Sequence, residues 1–259
     1  MKFSRRVFTA SAITAAAFLS ACGGGSSSGG GGATQYERSG DRAIGSAEAP
    51  VTVIEYASTS CPHCAEFHEE VYPAIEENFI ETGQVRFVFR EMLTGSPSLA
   101  MAGFMLARCA PEDRYFDTID LLFEQQQAIF QSAQSPNGPR GEFWNIAQTV
   151  GLSRDEFNAC ITNAELRQAV SEAHDQAIAD GIDGTPRFII NGHVLDADRS
   201  GSQLVYFWNG EPLRIDGETV PATVDEPTFI AILNHFVSEA GGEASMEEPA
   251  EDATSEGTE

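Results

Sequence analysis

The sequence predicts an α/β domain interrupted by an all-helical insertion, and three observations predict it. An apolar run, Val51-Thr52-Val53-Ile54-Glu55-Tyr56-Ala57, leads into Cys61-Pro62-His63-Cys64 and then into a helical pattern. Pro97 to Gly181 carries helical patterns with no convincing strand among them. After Gly184-Thr185-Pro186 strand patterns return, joined by Asn-Gly turns, and a last helix follows. A length of 259 residues allows one large domain or two modest ones, and 42% apolar residues supply a core. The net charge of −24 argues against nucleic acid, because phosphate binding needs a basic face. Eight acidic and no basic residues between Glu239 and Glu259 assign part of that excess to a tail.

The first 21 residues have the plan of an export signal: a basic start (Lys2, Arg5, Arg6) and an apolar stretch from Ala10 to Leu19. That stretch is shorter than the ~20 residues a bilayer core requires. Leu19-Ser20-Ala21-Cys22 resembles a bacterial lipobox, which implies cleavage before Cys22 and lipid on its sulfur. Ser4-Arg5-Arg6-Val7-Phe8 resembles a twin-arginine signal, and the export route stays open. The Gly/Ser tract from Gly23 to Gly32 reads as a flexible tether, with lead-in up to residue 43. An ordinary cysteine beside a cleavage site is the other reading of Cys22.

Val51 to Ala57 reads as a central strand, apolar on both faces except at Thr52 and Glu55. Glu55 either faces solvent or is buried; burial would raise its pKa and make it a proton acceptor for the cysteines. Cys61-Pro62-His63-Cys64 sits where strand gives way to helix. A helix N-terminus presents unpaired N–H groups and partial positive charge, and both favour a thiolate, the attacking species. Pro62 suits the helix start, and His63 can add charge beside Cys61. The helix is expected from Ala65 to Thr82, kinked at Pro73 and closed by Gly83, with Phe67, Val71, Ile75 and Phe79 as its buried stripe. His68 is expected at the surface or at the rim of the site. Val85 to Arg90 reads as the next strand.

The insertion, 96–181, is expected to hold helices at Ser98–Cys109, Glu112–Phe130, Glu142–Val150, Arg154–Ile161 and Ala164–Asp180. Pro111 precedes the second, Ser153 and Glu156 form a capping box for the fourth, and Asn163 can cap the fifth. In an exported chain Cys109 and Cys160 are expected to pair, which would stabilise by ~4 kcal/mol; two buried free thiols are the alternative. Thr185-Pro186 enters a strand from Arg187 to Asn191, a place where a cis proline can sit and a trans one equally can. An Asn191-Gly192 turn leads to His193–Leu195, and a second hairpin joins Leu204–Trp208 to Leu213–Ile215 through Asn209-Gly210. A helix is expected at Glu226–Ser238, with disorder from Gly241.

This order of parts resembles the DsbA-like branch of the thioredoxin superfamily over roughly Ile44 to Val237. The residues that carry the resemblance are Cys61-Pro62-His63-Cys64, Glu55 six positions earlier, and Thr185-Pro186. It implies a thioredoxin-like fold in two stretches, 44–95 and 182–239, around an all-helical insertion, with 240–259 as a disordered acidic tail. It implies a thiol:disulfide oxidoreductase with no cofactor beyond its own Cys61–Cys64 disulfide. Cys61 would be the exposed nucleophile with a lowered pKa, Cys64 the buried resolving thiol, Glu55 a buried acid, and Thr185 and Pro186 a substrate-backbone contact. Clients would be reduced, unfolded exported proteins, and re-oxidation would come from a quinone-linked membrane partner resembling DsbB. A lipid-anchored monomer in the periplasm or cell envelope of a bacterium is expected. Threonine before the proline, and the extra hairpin at Leu204–Val220, also suit a reductase or isomerase on the same fold. A reading of another class, a metal-binding lipoprotein, would use Cys61, Cys64 and His68, although structural zinc wants four ligands in paired motifs.

Overall fold

Every residue of the strand Val51–Ala57 is buried, because both of its faces are covered. The computed structural model describes residues 36–38 and 40–246; the signal, Cys22, the tether and the end of the acidic tail lie outside them. The strands are β1 (Arg42–Ile44), β2 (Val51–Ala57), β3 (Val85–Glu91), β4 (Arg187–Ile190), β5 (His193–Ser200), β6 (Gln203–Trp208) and β7 (Glu211–Pro212), in one sheet of order β1-β3-β2-β4-β5-β6-β7. A separate two-stranded ribbon joins β8 (Arg214–Ile215) to β9 (Glu218–Thr219). β2 runs parallel to β3 and antiparallel to β4, with Glu55 opposite both Phe89 and Phe188.

Alternation along β2 decides which side chains meet the redox helix. Val51, Val53 and Ala57 join the larger core with Phe67, Ile75 and Phe79. Ile54 and Tyr56 face the other way, onto Val88, Met92, Ala177 and Ile182. Glu55 therefore shares the face of Val53 and Ala57. The missed strand β1 is only three residues long, too short to show a period, and pairs antiparallel with β3. Arg90 fixes the lead-in by donating to Asp41 and to the carbonyl of Tyr36.

The helix after β2 is not one kinked rod. It starts at Pro62 as α1 (Pro62–Glu70), breaks at Val71, resumes as α2 (Tyr72–Ile75) and widens into a π turn at Glu76–Ile80. Pro73 lacks the N–H that would bond back to Glu69, so the break falls just before it. The stripe Phe67, Val71, Ile75 and Phe79 is buried as expected.

The insertion contains α3 (Pro97–Cys109), α4 (Tyr115–Glu124), α5 (Gln126–Ala133), α6 (Arg140–Thr149), α7 (Arg154–Thr162) and α8 (Ala164–Ala179). The expected single helix over 112–130 is a short 3-10 turn, Glu112–Arg114, followed by two helices that part at Gln125. Ser153 and Glu156 close the capping box on α7, and Asn163 Oδ1 accepts from the N–H groups of Glu165 and Leu166 to cap α8. Cys109 and Cys160 are disulfide-bonded across 51 positions, tying the end of α3 to α7.

Asn191-Gly192 turns with φ of 48° and 83°, the left-handed pair a two-residue hairpin demands. β5 outruns its expected end at Leu195 and pairs with β6 from Leu195–Trp208 to Ser200–Gln203, so the sheet gains a long two-stranded wing. Leu213 is buried between β7 and β8, so the expected strand Leu213–Ile215 is shortened to β8, and the Asn209-Gly210 turn joins β6 to β7 instead. α9 (Glu226–Met246) buries Phe229, Ile232, Leu233 and Phe236. It continues through Gly241 to Met246, where disorder was expected. No helix among the described residues is long and apolar enough to cross a membrane.

Candidate active site

Cys61 is the N-cap of α1, in extended conformation, and its carbonyl accepts from the N–H groups of Cys64 and Ala65. Pro62 fills the first helical position. Both cysteines are free thiols. Cys61 retains 7% exposure and Cys64 none, so Cys61 is a nearly covered sulfur at the surface rather than the openly exposed one expected. The Thr185 carbonyl lies against that sulfur.

The two thiols are driven apart. Cys61 is lowered to about 6, chiefly by the hydrogen bond from the Cys64 thiol. Burial opposes this, while the Thr185 side chain and the backbone N–H groups of Cys64 and His63 add to it. His63 thus acts through its backbone, and its imidazole is exposed. Cys64 is pushed far up by burial, by its bond to Cys61 and by the negative charge of Glu55.

Thr185-Pro186 is a cis peptide at the start of β4. The Cys61 thiol donates to the Thr185 carbonyl at 3.3 Å, and the Thr185 and Thr94 hydroxyls are 2.5 Å apart. Thr94 belongs to the turn after β3, where Gly95 takes φ 72° and a side chain would strike the Ser60 carbonyl. Ser60 Oγ donates to the Thr94 carbonyl at 2.7 Å and accepts from the Ser96 N–H at 3.0 Å, which locks the two loops together.

Glu55 is fully buried. Its Oε2 accepts from His68 Nε2–H at 2.8 Å, while Oε1 has no partner. His68 is buried rather than at the rim, stacked between Tyr72 and Phe123 at ring separations of 4.8 and 4.4 Å. Its Nδ1 lies 3.3 Å from Asp120 on α4. Burial opposes its charge, but Glu55 and Asp120 outweigh that and hold it up at about 9. The spacing carried this signal: His68 is one helical turn beyond Cys64, on the same face. With both ring nitrogens turned to carboxylates, His68 is not presented to the cysteines as a metal ligand. Among the described residues no group of three His, Cys, Asp or Glu is placed to hold a metal.

Gln126, at the start of α5, is a site residue with no sequence signal. It is buried, and its Nε2 donates to the carbonyls of Thr59 at 3.1 Å and Cys61 at 3.0 Å. The parting of α4 and α5 at Gln125 directs it there.

Residues 37–207 match the thioredoxin family. The chain belongs to that family. Within it, a Rickettsia typhi protein provisionally named a protein-disulfide oxidoreductase is 30% identical over 153 residues, 59% of this chain and 55% of that protein. Disulfide bond formation protein D of Bacillus subtilis is 27% identical over 160 residues, 60% of this chain and 70% of that one. The chain spans about half the length of the Rickettsia relatives it matches. Among solved structures, alpha-DsbA1 of Wolbachia pipientis superposes with a TM-score of 0.63 at 23% identity, over 83% of this chain and 99% of that one. The fold is therefore the DsbA-like form of the thioredoxin fold, a thioredoxin-type sheet with a helical insertion.

Proposed function

We propose that this chain is an exported thiol:disulfide oxidoreductase that donates a Cys61–Cys64 disulfide to reduced, unfolded proteins. The opposed thiols carry the reading: Cys61 held as a thiolate, Cys64 held protonated. The client thiolate attacks Cys61 Sγ and Cys64 departs; a second client thiolate then attacks the client sulfur of the mixed disulfide, and Cys61 leaves as a stable thiolate. A favoured thiolate in the reduced protein makes the disulfide a ready donor.

Pro62 and His63 set the helix start, and the Thr185-Pro186 edge receives the client backbone beside Cys61. Glu55 is the buried acid behind Cys64, and Cys109–Cys160 is structural. A lipid on Cys22 and the tether after it would hold the protein at a bacterial membrane in the cell envelope, as a monomer, near a quinone-linked re-oxidase resembling DsbB. The names of the relatives support the redox class. The experiment is the reduction potential of the Cys61–Cys64 pair against glutathione. A value near about −120 mV is expected for an oxidase, and one near about −270 mV would assign the site to a reductase.

A further inference from the structure

Cys64 has a problem that the two cysteines do not solve. When the client thiolate breaks the Cys61–Cys64 bond, the electron pair stays on a sulfur with no exposure, beside the charge of Glu55. That sulfur must be protonated where solvent does not reach it. Glu55 has one oxygen on His68 and one buried oxygen without a partner. His68 in turn lines a cleft of about 280 Å³ with Glu69, Tyr72, Glu76, Asp120 and Glu124. The Tyr72 hydroxyl there is also buried without a partner.

We propose that His68 is the proton source for Cys64, delivering through Glu55, and that Asp120 of the helical insertion is the positioning residue that keeps its imidazole charged. This rests on the thiol-exchange reading above and deepens it. The His68 Nε2 proton passes to Glu55, and Glu55 supplies one to the departing Cys64 sulfur. Water in the cleft returns a proton to the neutral ring. Two electrons pass from the client dithiol to the protein disulfide. Of the two client protons, one is balanced by the proton fixed on Cys64 and the other stays in solvent.

The titratable groups around His68 come from five elements: Glu55 on β2, Glu69 on α1, Tyr72 on α2, Glu76 of the π turn, and Asp120 with Glu124 on α4. Glu55 and Asp120 hold the ring charged. Asp120 is 41% exposed in its side chain, so it can be changed without opening the core.

The test is the rate at which glutathione reduces the oxidised full chain, corrected for thiolate fraction, across pH. In the wild type the corrected rate should fall as pH rises through the His68 titration near about 9. In Asp120→Asn the fall should move to lower pH by about one unit, and Asp120→Glu should restore it. A pH profile identical in wild type and Asp120→Asn, with a fast wild type, overturns the proton source alone. A wild-type disulfide no faster than an unactivated one overturns the thiol-exchange reading instead. Should Asp120→Asn fail to fold, nitrogen-resolved NMR of His68 in the wild type decides: a charged ring at pH 7 supports the proposal, and a neutral one defeats it.

Discussion

At the scale of single residues, three chain positions separate a thiol that ionises easily from one that scarcely ionises. The difference is donor supply: Cys61 receives the Cys64 thiol, the Thr185 side chain and two backbone N–H groups, while Cys64 receives burial and a nearby carboxylate. Ultraviolet titration of thiolate in the reduced protein should show a midpoint near about 6 for Cys61. A midpoint at the free-thiol value of about 8.5 would contradict the site chemistry. Stability follows from the same shift. Because the folded pKa lies below the unfolded one, the reduced protein gains stability from Cys61 as pH rises from about 6, and the gain is lost on acidification through that value. The oxidised protein lacks this term, so the melting temperature of the reduced form should rise relative to the oxidised form between pH 5 and pH 8. Calorimetry of both forms checks it, and a constant difference would count against a lowered Cys61. Cys61, Cys64 and Glu55 could be found in the sequence because motif and strand lie within ten positions of each other. Asp120, Gln126 and Thr94 could not: they approach the site from 52, 65 and 91 positions away from their partners.

At the scale of elements, boundaries were legible where chemistry is local. The Ser153–Glu156 box and the Asn163 cap are short-range hydrogen bonds, and both helices begin where those residues stand. Boundaries set by tertiary contact were hidden. Nothing near Gln125 is a helix breaker, yet α4 and α5 part there and Gln126 turns onto the redox loop. Gln126→Ala should therefore destabilise the protein by about 1–2 kcal/mol, because the buried Thr59 carbonyl loses its side-chain donor while the Cys61 carbonyl keeps the N–H groups of Cys64 and Ala65. Urea unfolding measures it, and a change under about 0.5 kcal/mol would mean that the Thr59 carbonyl finds another partner. β5 runs past its expected end at Leu195 through Asp196, Asp198 and Arg199, whose charges are ordinary on an exposed strand of a two-stranded wing.

At the scale of the whole molecule, the insertion and the sheet share one site. α1 and the Thr185-Pro186 loop come from the two ends of the interrupted domain, and α4 and α5 reach in from the insertion with Asp120 and Gln126. Cys109–Cys160 closes a loop of 51 positions inside that insertion. Replacing both cysteines with alanine should cost about 4 kcal/mol in the chain-entropy account and leave the Cys61–Cys64 potential in place. Paired unfolding and redox titrations test this; a shifted potential would show that the bridge holds α4 and α5 against the site. The order of elements was legible because each carries its own period, whereas their meeting point was not, since it depends on how the layers pack.

The seven-stranded sheet ends in two stubs, three residues at β1 and two at β7. A long bare margin would offer a template on which extended chains could stack, and stubs of this length offer almost none. Flanks so short leave neighbouring copies of the protein little on which to nucleate a fibril.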